Sequence, residues 1–309
     1  MSRLGIALAL SVAVGLVATA TPAHAAFPGT NGRIAFGSDR FGGTHNIFTM
    51  NTDGTEVRQL TFLTVDQGAA LRGSWSPDGS KLVFEERDGV RQIYAMNANG
   101  SNQHLLFSDP AFMDFDPSFS PDGSKVIFAR CRPDFEACAI YTVKSDGHGL
   151  TAITHFDVKH NVLDFRPKFS ANGRTIAFNS FNRSGVTAAV YLMDPHGSNV
   201  RRVTPTSLEA LDPGWSPDGA EIAVDSNCCN PQISAIWKVH PDGSSLEQLT
   251  SPAPEHDFFP SFSPAGDRIA FERDSADFST FNILTMNADG VGVTTIQADA
   301  FEPSWGPAG

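Results

Sequence analysis

The chain has 309 residues, with 34 acidic and 22 basic side chains, so its formal net charge is −12 at pH 7. An acidic chain without a basic stripe argues against a nucleic-acid partner, because phosphates are bound by clustered Lys and Arg side chains. The length is sufficient for one domain with a substantial hydrophobic core.

The first 25 residues have the features of a secretory signal peptide. Arg3 supplies a positive charge, residues 4–20 are mainly apolar, and Ala23-His24-Ala25 is a small-x-small cleavage motif. The alternative is a transmembrane anchor, for which this apolar run is short. We therefore expect an exported protein, secreted or held in the periplasm or cell envelope, that is soluble and not inserted in a membrane after cleavage.

The rest of the sequence is built from one repeated pattern. Each copy has an aromatic residue followed by Ser-Pro-Asp-Gly or a variant of it, and most copies then have apolar runs that end at Asp-Gly or Asn-Gly. The six aromatic residues, here called the landmark aromatics, lie 43 to 50 residues apart: Trp75, Phe119, Phe169, Trp215, Phe262 and Trp305. A period of this size is typical of a β-propeller or a solenoid.

Each complete copy contains four short β runs bounded by turn residues. In the copy that begins near Trp75, the runs are residues 74–76, 82–84, 93–96 and 104–106. Apolar, β-branched and aromatic residues dominate these runs, as is typical of strands. Pro77-Asp78-Gly79 joins the first two runs, and Asn99-Gly100 joins the last two, as tight hairpins. No stretch after the signal has helical periodicity, so we predict an all-β fold.

The two ends of the chain share one copy of the repeat. The first copy lacks a landmark strand before Ile34, whereas residues 303–309 supply such a strand with nothing after it. A last strand that joins the first sheet removes the free edges of a ring. We therefore predict a six-bladed β-propeller of four-stranded antiparallel blades over residues 26–309, closed by the C-terminal strand in the N-terminal blade. The longer, more varied loops then share one face, where binding usually occurs.

Four cysteines lie within the repeats, and an even number in an exported chain suggests disulfides. Cys131 and Cys138 flank the loop between the second and third strands of the third blade, so we predict a disulfide between them. Cys228 and Cys229 lie in the equivalent loop of the fifth blade, where they could form a vicinal disulfide or remain thiols.

A set of mostly charged residues lies three positions before the landmark aromatics. This set, here called the collar, consists of Arg72, Asp116, Arg166, Asp212, Phe259 and Glu302. Propeller symmetry places the collar on one circle at the mouth of the central channel, where neighbouring opposite charges could pair. One interpretation is a structural ring that holds adjacent blades together. The other is a pocket with aromatic walls that binds a ligand or a peptide. Two positions further back, aspartates recur in three blades, at Asp114, Asp164 and Asp257.

The run from Pro117 to Phe128, Pro-Ser-Phe-Ser-Pro-Asp-Gly-Ser-Lys-Val-Ile-Phe, resembles the propeller repeat of the TolB family. The resemblance extends over nearly all of the chain after the signal. TolB itself is periplasmic, docks on a peptidoglycan-associated lipoprotein, and has a separate domain before its propeller, which we expect this chain to lack. The resemblance thus implies a binding protein of the cell envelope but identifies no partner-contact residue. The same repeat also occurs beside the catalytic domains of prolyl oligopeptidase-like enzymes.

The sequence carries no recognisable catalytic motif. Ser76, Ser120 and Ser216 each precede a Pro-Asp-Gly turn, and no nucleophile elbow, His-Glu-x-x-His motif or phosphate-binding loop occurs. We expect no cofactor and no metal site. Our leading hypothesis is a monomeric, non-catalytic scaffold that binds an envelope protein or a glycan. The alternative is a polysaccharide-active enzyme, a lyase or a hydrolase, with its site at the channel mouth.

Overall fold

The computed structural model describes residues 27–41, 43–185, 187–226 and 233–309. The predicted signal peptide and the pair Cys228 and Cys229 lie outside the described residues. Within them, the strands in chain order are β1 Asn31–Ser38, β2 Asn46–Met50, β3 Arg58–Gln59, β4 Ala69–Trp75, β5 Lys81–Asp88, β6 Val90–Asn97, β7 His104–Phe107, β8 Met113–Phe119, β9 Lys125–Cys131, β10 Cys138–Lys144, β11 Thr151–Ala152, β12 Leu163–Phe169, β13 Ile176–Phe181, β14 Ala188–Met193, β15 Arg201–Arg202, β16 Ala210–Trp215, β17 Ile222–Ser226, β18 Ala235–Val239, β19 Glu247–Gln248, β20 His256–Phe262, β21 Arg268–Asp274, β22 Phe281–Asn287, β23 Thr294–Ala298 and β24 Phe301–Pro307.

The prediction of an all-β fold with four-stranded antiparallel sheets is confirmed. Sheet 1 has the strand order β24-β1-β2-β3, and sheet 2 has the order β4-β5-β6-β7. Sheets 3 to 6 repeat the second arrangement with β8–β11, β12–β15, β16–β19 and β20–β23. One parallel pair, Cys138 with Leu163, joins sheets 3 and 4.

The C-terminal strand β24 forms hydrogen bonds with β1, the first strand of the chain. Trp305 lies opposite Ile34, and Phe301 lies opposite Gly37. A Cβ atom at Gly37 would lie 2.1 Å from the Phe301 ring, and one at Gly32 would lie 2.2 Å from the carbonyl oxygen of Pro307. Glycine is therefore required at these two positions, because β24 approaches β1 so closely.

The hydrophobic core consists mainly of clusters between neighbouring sheets. Sheets 1 and 2 share a cluster that contains Ile47 and Trp75, and sheets 2 and 3 share one that contains Val83 and Phe119. Clusters of the same kind join sheet 3 to 4, sheet 4 to 5 and sheet 5 to 6. A further cluster joins sheet 6 to sheet 1, with Ile283 packed among side chains of β1, β2 and β24. Each sheet thus covers its faces with its two neighbours rather than with a separate layer.

The repeated serine residues serve the turn between the first two strands of each sheet. Ser76 Oγ donates a hydrogen bond to Asp78 Oδ1 (2.6 Å) and accepts one from the backbone amide of Lys81 (2.9 Å). Ser120 and Ser216 make the same contacts with Asp122 and Asp218. Their recurrence therefore reflects turn geometry rather than a nucleophile.

A disulfide joins Cys131 and Cys138, as predicted, at the end of the β9–β10 hairpin. The described ranges also contain four three-residue 3₁₀ segments that were not predicted from the sequence, at Val65–Gln67, Val158–His160, Arg183–Gly185 and Thr206–Leu208. All four lie in loops and are too short to give a helical pattern in the sequence. None of the helices in the described part of the chain has the length and apolar composition that a membrane crossing requires.

Candidate binding site between the sheets

The first strands of all six sheets surround one cavity of about 150 Å³. Every member of the collar lines it, so the structure brings the six predicted residues together. Five landmark aromatics line it further along the strands: Phe119, Phe169, Trp215, Phe262 and Trp305. Phe27, which precedes β1, also lines the cavity and packs against the hydrophobic cluster that contains Phe119.

All six collar residues have a left-handed backbone conformation, with φ between 52° and 56°. Each lies where a first strand shifts register against its partner, for example between Leu71 and Ser74 in β4. An extra residue at such a bulge redirects the side chain and disrupts the hydrogen-bond ladder. A left-handed residue that is not glycine costs about 1–2 kcal/mol. Backbone strain of this kind, repeated around one cavity, is typical of functional sites.

Side chains of the preceding sheet hold several of these strained amides in place. The backbone amide of Asp116 donates to Glu85 Oε2 (3.3 Å), that of Asp212 to Asn179 Oδ1 (3.0 Å), and that of Glu302 to Glu272 Oε2 (2.7 Å). These acceptors lie on the second strand of the sheet before. The equivalent positions in sheets 1 and 3 are Gly37 and Ala129, which have no side-chain acceptor.

Ion pairs connect the collar side chains to one another. Arg72 contacts Asp116 at 2.9 Å and Glu302 at 3.2 Å, and Arg166 pairs with Asp212. The guanidinium carbons of Arg72 and Arg166 lie 5.3 Å and 4.9 Å from the centre of the Phe259 ring. Phe259 is therefore a cation–π partner of both arginines. The alternating charges in the sequence correctly predicted ion pairs between neighbouring collar residues. They did not predict that Phe259 contacts both arginines.

Burial shifts the pKa values of the charged groups around the cavity. Burial alone would lower the pKa of Arg72, but the carboxylates of Asp116, Glu302 and Glu85 outweigh it and raise the pKa above its usual value. Burial, together with the positive charge of Arg72, lowers the pKa of Arg166 to about 10. Burial raises the pKa of Glu85 to about 7, although Arg72 acts in the opposite direction. Low polarity around these groups strengthens their mutual interactions.

The three recurring aspartates of the sequence have a structural role. Asp114 forms two hydrogen bonds of 2.8 Å with Arg130. Asp164 pairs with Arg183, and Asp257 pairs with Arg273. Arg130 is 2% exposed and lies within 6 Å of four aromatic ring centres, those of Phe107, Phe112, Phe128 and Tyr141. These aspartates are buried and therefore not exposed to a ligand, and they neutralise one buried arginine, Arg130, and two partly exposed ones, Arg183 and Arg273.

Comparison with known proteins agrees with this fold. The TolB beta propeller domain matches residues 106–309. The chain belongs to this family. A further relative is an uncharacterized protein of Agrobacterium fabrum, 28% identical over 251 residues, which are 76% of this chain and 80% of the relative.

Two solved structures extend the comparison of this TolB-family chain. TolB from Acinetobacter baumannii superimposes with a TM-score of 0.72 at 21% identity, over 89% of this chain and 67% of that one. An oligogalacturonate lyase in complex with manganese superimposes with a TM-score of 0.60 at 16% identity, over 89% and 77% of the two chains. At these identities the similarity concerns the fold alone.

Three histidines in the described part of this TolB-family chain each have a separate set of contacts. His256 is buried and stacks on Phe278 with ring centres 4.7 Å apart, His45 packs against Phe301, and His160 pairs with Asp157. In the described ranges, no three His, Cys, Asp or Glu side chains come together in a way that could hold a metal ion.

Asp225 provides a test of how burial acts on the charges near the collar. It is 1% exposed, and in the part of the chain that the structure describes its oxygens make no hydrogen bond of standard length and angle, the nearest donor being the backbone amide of Phe259. Burial raises its pKa to about 6, although the charge of Arg166 and the nearby amide of Phe259 oppose this shift. The native state therefore holds this proton more tightly than the unfolded chain, and stability is lost as pH rises from about 4 to about 6.

We expect Asp225→Asn to raise the free energy of unfolding by about 3 kcal/mol at pH 8, because a neutral amide carries no desolvated charge. The gain should vanish below about pH 4, where the carboxyl is protonated in both states. Urea unfolding at pH 4, 6 and 8 measures it. Asp289→Asn, at an exposed turn, is the control and should leave stability unchanged. An equal effect at all three pH values would contradict the explanation.

Proposed function

We propose that this protein is an exported, non-catalytic scaffold of the bacterial cell envelope that binds a protein or a glycan through its collar face, the face that carries the loops between second and third strands and the connections between sheets. The observation that carries this proposal is the collar itself. Six strained backbone positions direct two arginines, three carboxylates and one phenylalanine to one cavity. Strain of this kind persists only where the surroundings enforce it, and it clusters at ligand clamps.

The proposal includes a closed ring of six blades over residues 26–309, after a signal peptide at residues 1–25. Three observations support the ring: the pairing of β24 with β1, the hydrophobic cluster between sheets 6 and 1, and a cavity lined by one strand of every sheet. The edges that such a ring leaves are short, since the outer strands β3, β11, β15 and β19 have two residues each, so we expect it to be monomeric and soluble.

Exposed aromatic side chains on the collar face support partner binding. Phe41 is 73% exposed, Phe62 is 71% exposed and Phe278 is 52% exposed. These residues lie in the loops that connect second to third strands or one sheet to the next. Large exposed aromatic side chains near a rigid cavity are typical anchors of protein and glycan interfaces.

Site-specific photo-crosslinking in intact envelopes tests the proposal. A photoreactive phenylalanine at position 62 or 278 should crosslink to the same partner, whereas one at Val200, an exposed residue on the opposite face, should not. The double variant Arg166→Met/Asp212→Leu, which removes both members of an ion pair, should abolish the crosslink with little change in melting temperature. Loss of folding stability with an unchanged crosslink would instead identify a purely structural collar.

The enzyme alternative has a separate test. The purified protein is incubated with oligogalacturonate and with a panel of envelope polysaccharides, with and without added manganese, and new reducing ends are measured. Turnover that the Arg166→Met/Asp212→Leu variant loses would replace the scaffold by a polysaccharide-active enzyme. A binding scaffold predicts retention of a glycan on the protein, or no glycan contact at all, without cleavage.

A further inference from the structure

A second layer of residues lines the cavity directly beyond the collar. It comprises the residues that immediately precede the landmark aromatics, here called the serine layer: Ser74, Ser118, Lys168, Gly214, Ser261 and Ser304. Lys168 is the one charged member of this layer. It therefore brings a lysine side chain to the cavity, on β12 between the collar residue Arg166 and the landmark aromatic Phe169.

The carboxylates that line the cavity are already paired with arginines. Arg72 contacts Asp116 and Glu302, and Arg166 contacts Asp212. The ammonium of Lys168, in contrast, has no ion pair or hydrogen bond to any residue that the structure describes. The charged groups that line the cavity with Lys168 are Arg72 on β4, Asp116 on β8, Arg166 on its own strand, Asp212 on β16 and Glu302 on β24.

The surroundings of Lys168 favour an additional negative charge. Burial lowers its pKa to about 8, and the charges of Arg72 and Arg166 act in the same direction, opposed by Asp116. Lys168 is partly exposed to the cavity, and an ammonium that is partly removed from water without a counter-ion is destabilised. An anion beside it would restore the missing interaction.

The rest of the layer offers hydrogen-bond donors. The hydroxyls of Ser74, Ser118 and Ser304 make no hydrogen bond within the described ranges, and Ser261 Oγ accepts one from the backbone amide of Trp305, which leaves its proton free to donate. A Cβ atom at Gly214 would lie 2.7 Å from the carbonyl oxygen of Pro260, so this position contributes no side chain. Hydroxyl groups around one ammonium match the oxygens of a carboxylate.

We propose that the serine layer binds a small carboxylate, whose oxygens accept hydrogen bonds from Lys168 and the neighbouring serine hydroxyls. A cavity of about 150 Å³ holds a molecule of roughly the size of one small ring. The carboxylates of the collar lie next to the layer and disfavour a second negative charge, so a monocarboxylate fits better than a dianion or a phosphate. This site shares one cavity with the collar, and it can bind a carboxylate whether or not a partner binds the collar face.

Calorimetry with the purified protein tests this site, with formate, acetate and glycolate as probes and ethylene glycol as the uncharged control. We expect at least one carboxylate to bind at pH 7 and ethylene glycol not to bind. Fluorescence provides a second signal, because Trp215 and Trp305 line the same cavity. If none of the three carboxylates binds at millimolar concentration, the proposal is wrong.

Variants of Lys168 identify the group that carries the binding. Lys168→Met should weaken carboxylate binding at least about tenfold, since a hydrogen bond between charged groups contributes that much or more. Lys125→Met, which removes an exposed lysine at the start of β9, should leave the affinity unchanged. Equal affinity of the Lys168→Met variant and the unaltered protein would overturn the assignment.

The pH dependence of carboxylate affinity distinguishes a lysine that contacts the ligand from one with only a structural role. Lys168 is positive below about pH 8, so the affinity should hold there and fall about tenfold per pH unit above it. Lys168→Arg should keep its affinity up to pH 9.5, because a guanidinium stays charged. NMR of lysine Cε labelled with ¹³C should show the pKa of Lys168 rising when the carboxylate binds. No rise would contradict the direct contact.

The carboxylate could come from a free acid or from the C-terminus of a peptide. Tri-alanine with a free carboxylate, compared with its amidated form, distinguishes these two sources. Binding of the free tripeptide alone assigns the layer to a chain terminus that enters from the collar side. Binding of acetate or glycolate without either tripeptide assigns it to a free acid. Both results support the carboxylate site.

Discussion

Deletion of residues 301–309 should abolish the cooperative unfolding transition of this protein. The deletion removes β24, and with it the buried side chains of Phe301 and Trp305, which are 9% and 5% exposed. The loss of a buried aromatic side chain typically costs about 3–5 kcal/mol. Two such losses account for most of the 5–15 kcal/mol that stabilises a typical domain. The deletion also exposes the hydrogen-bonding edge of β1, which should promote aggregation.

Circular dichroism during urea unfolding measures this effect, and a synthetic peptide provides the control. Addition of residues 299–309 as a separate peptide should restore the transition, because the missing strand can pair with β1 from solution. The same peptide with Trp305→Ala should restore it poorly. A truncated chain that unfolds cooperatively at an unchanged urea concentration would contradict the central role of β24.

Asp114→Ala should strongly destabilise the folded protein. It leaves the guanidinium of Arg130 buried among aromatic rings, with only the longer contact to Asp109 at 3.2 Å. Loss of one partner of a buried ion pair typically costs about 3–5 kcal/mol. For a chain of this size, that loss corresponds to a fall in melting temperature of roughly 10 °C.

Two further variants separate the ion pair from general packing. Asp109→Ala, at a partly exposed partner of the same arginine, should cost less than about 1 kcal/mol. The double variant Asp114→Leu/Arg130→Met should recover much of the lost stability, because it removes both buried charges together. A double variant as unstable as Asp114→Ala would show that the shape of the site, rather than its charge, is decisive. Calorimetric melting of all three variants measures this.

The repeat made much of the fold predictable. The turn residues after each landmark aromatic fix where the first two strands meet, and Asn-Gly or Asp-Gly fixes the last hairpin. The same alignment placed Arg72, Asp116 and the other collar residues at one repeat position, and the structure brings them to one cavity. Strand length was less predictable. For example, β5 extends to Asp88, because polar residues on an exposed sheet end still pair.

The chemistry around the collar was harder to infer, because it depends on contacts between sheets. Glu85, Asn179 and Glu272 look like ordinary exposed polar residues in the sequence, yet they accept hydrogen bonds from amides of the next sheet. A signal was present, since each lies ten residues after a landmark aromatic. Lys168 and Arg130 gave no comparable signal. Their importance follows from burial, which a single sequence does not reveal.

The acceptors on the second strands have an evolutionary consequence. Because the side chain that accepts from the amide of Asp116, Asp212 or Glu302 belongs to the sheet before it, three copies of the repeat are not chemically self-sufficient. Duplication or loss of one copy could place a sheet with Gly37 or Ala129 before a collar amide that needs a side-chain acceptor. It could also place an acceptor such as Glu85 before a sheet that does not use it. If the copies arose by duplication, each now depends on the copy that precedes it in the chain. Recombination should therefore exchange whole chains more readily than single copies of the repeat.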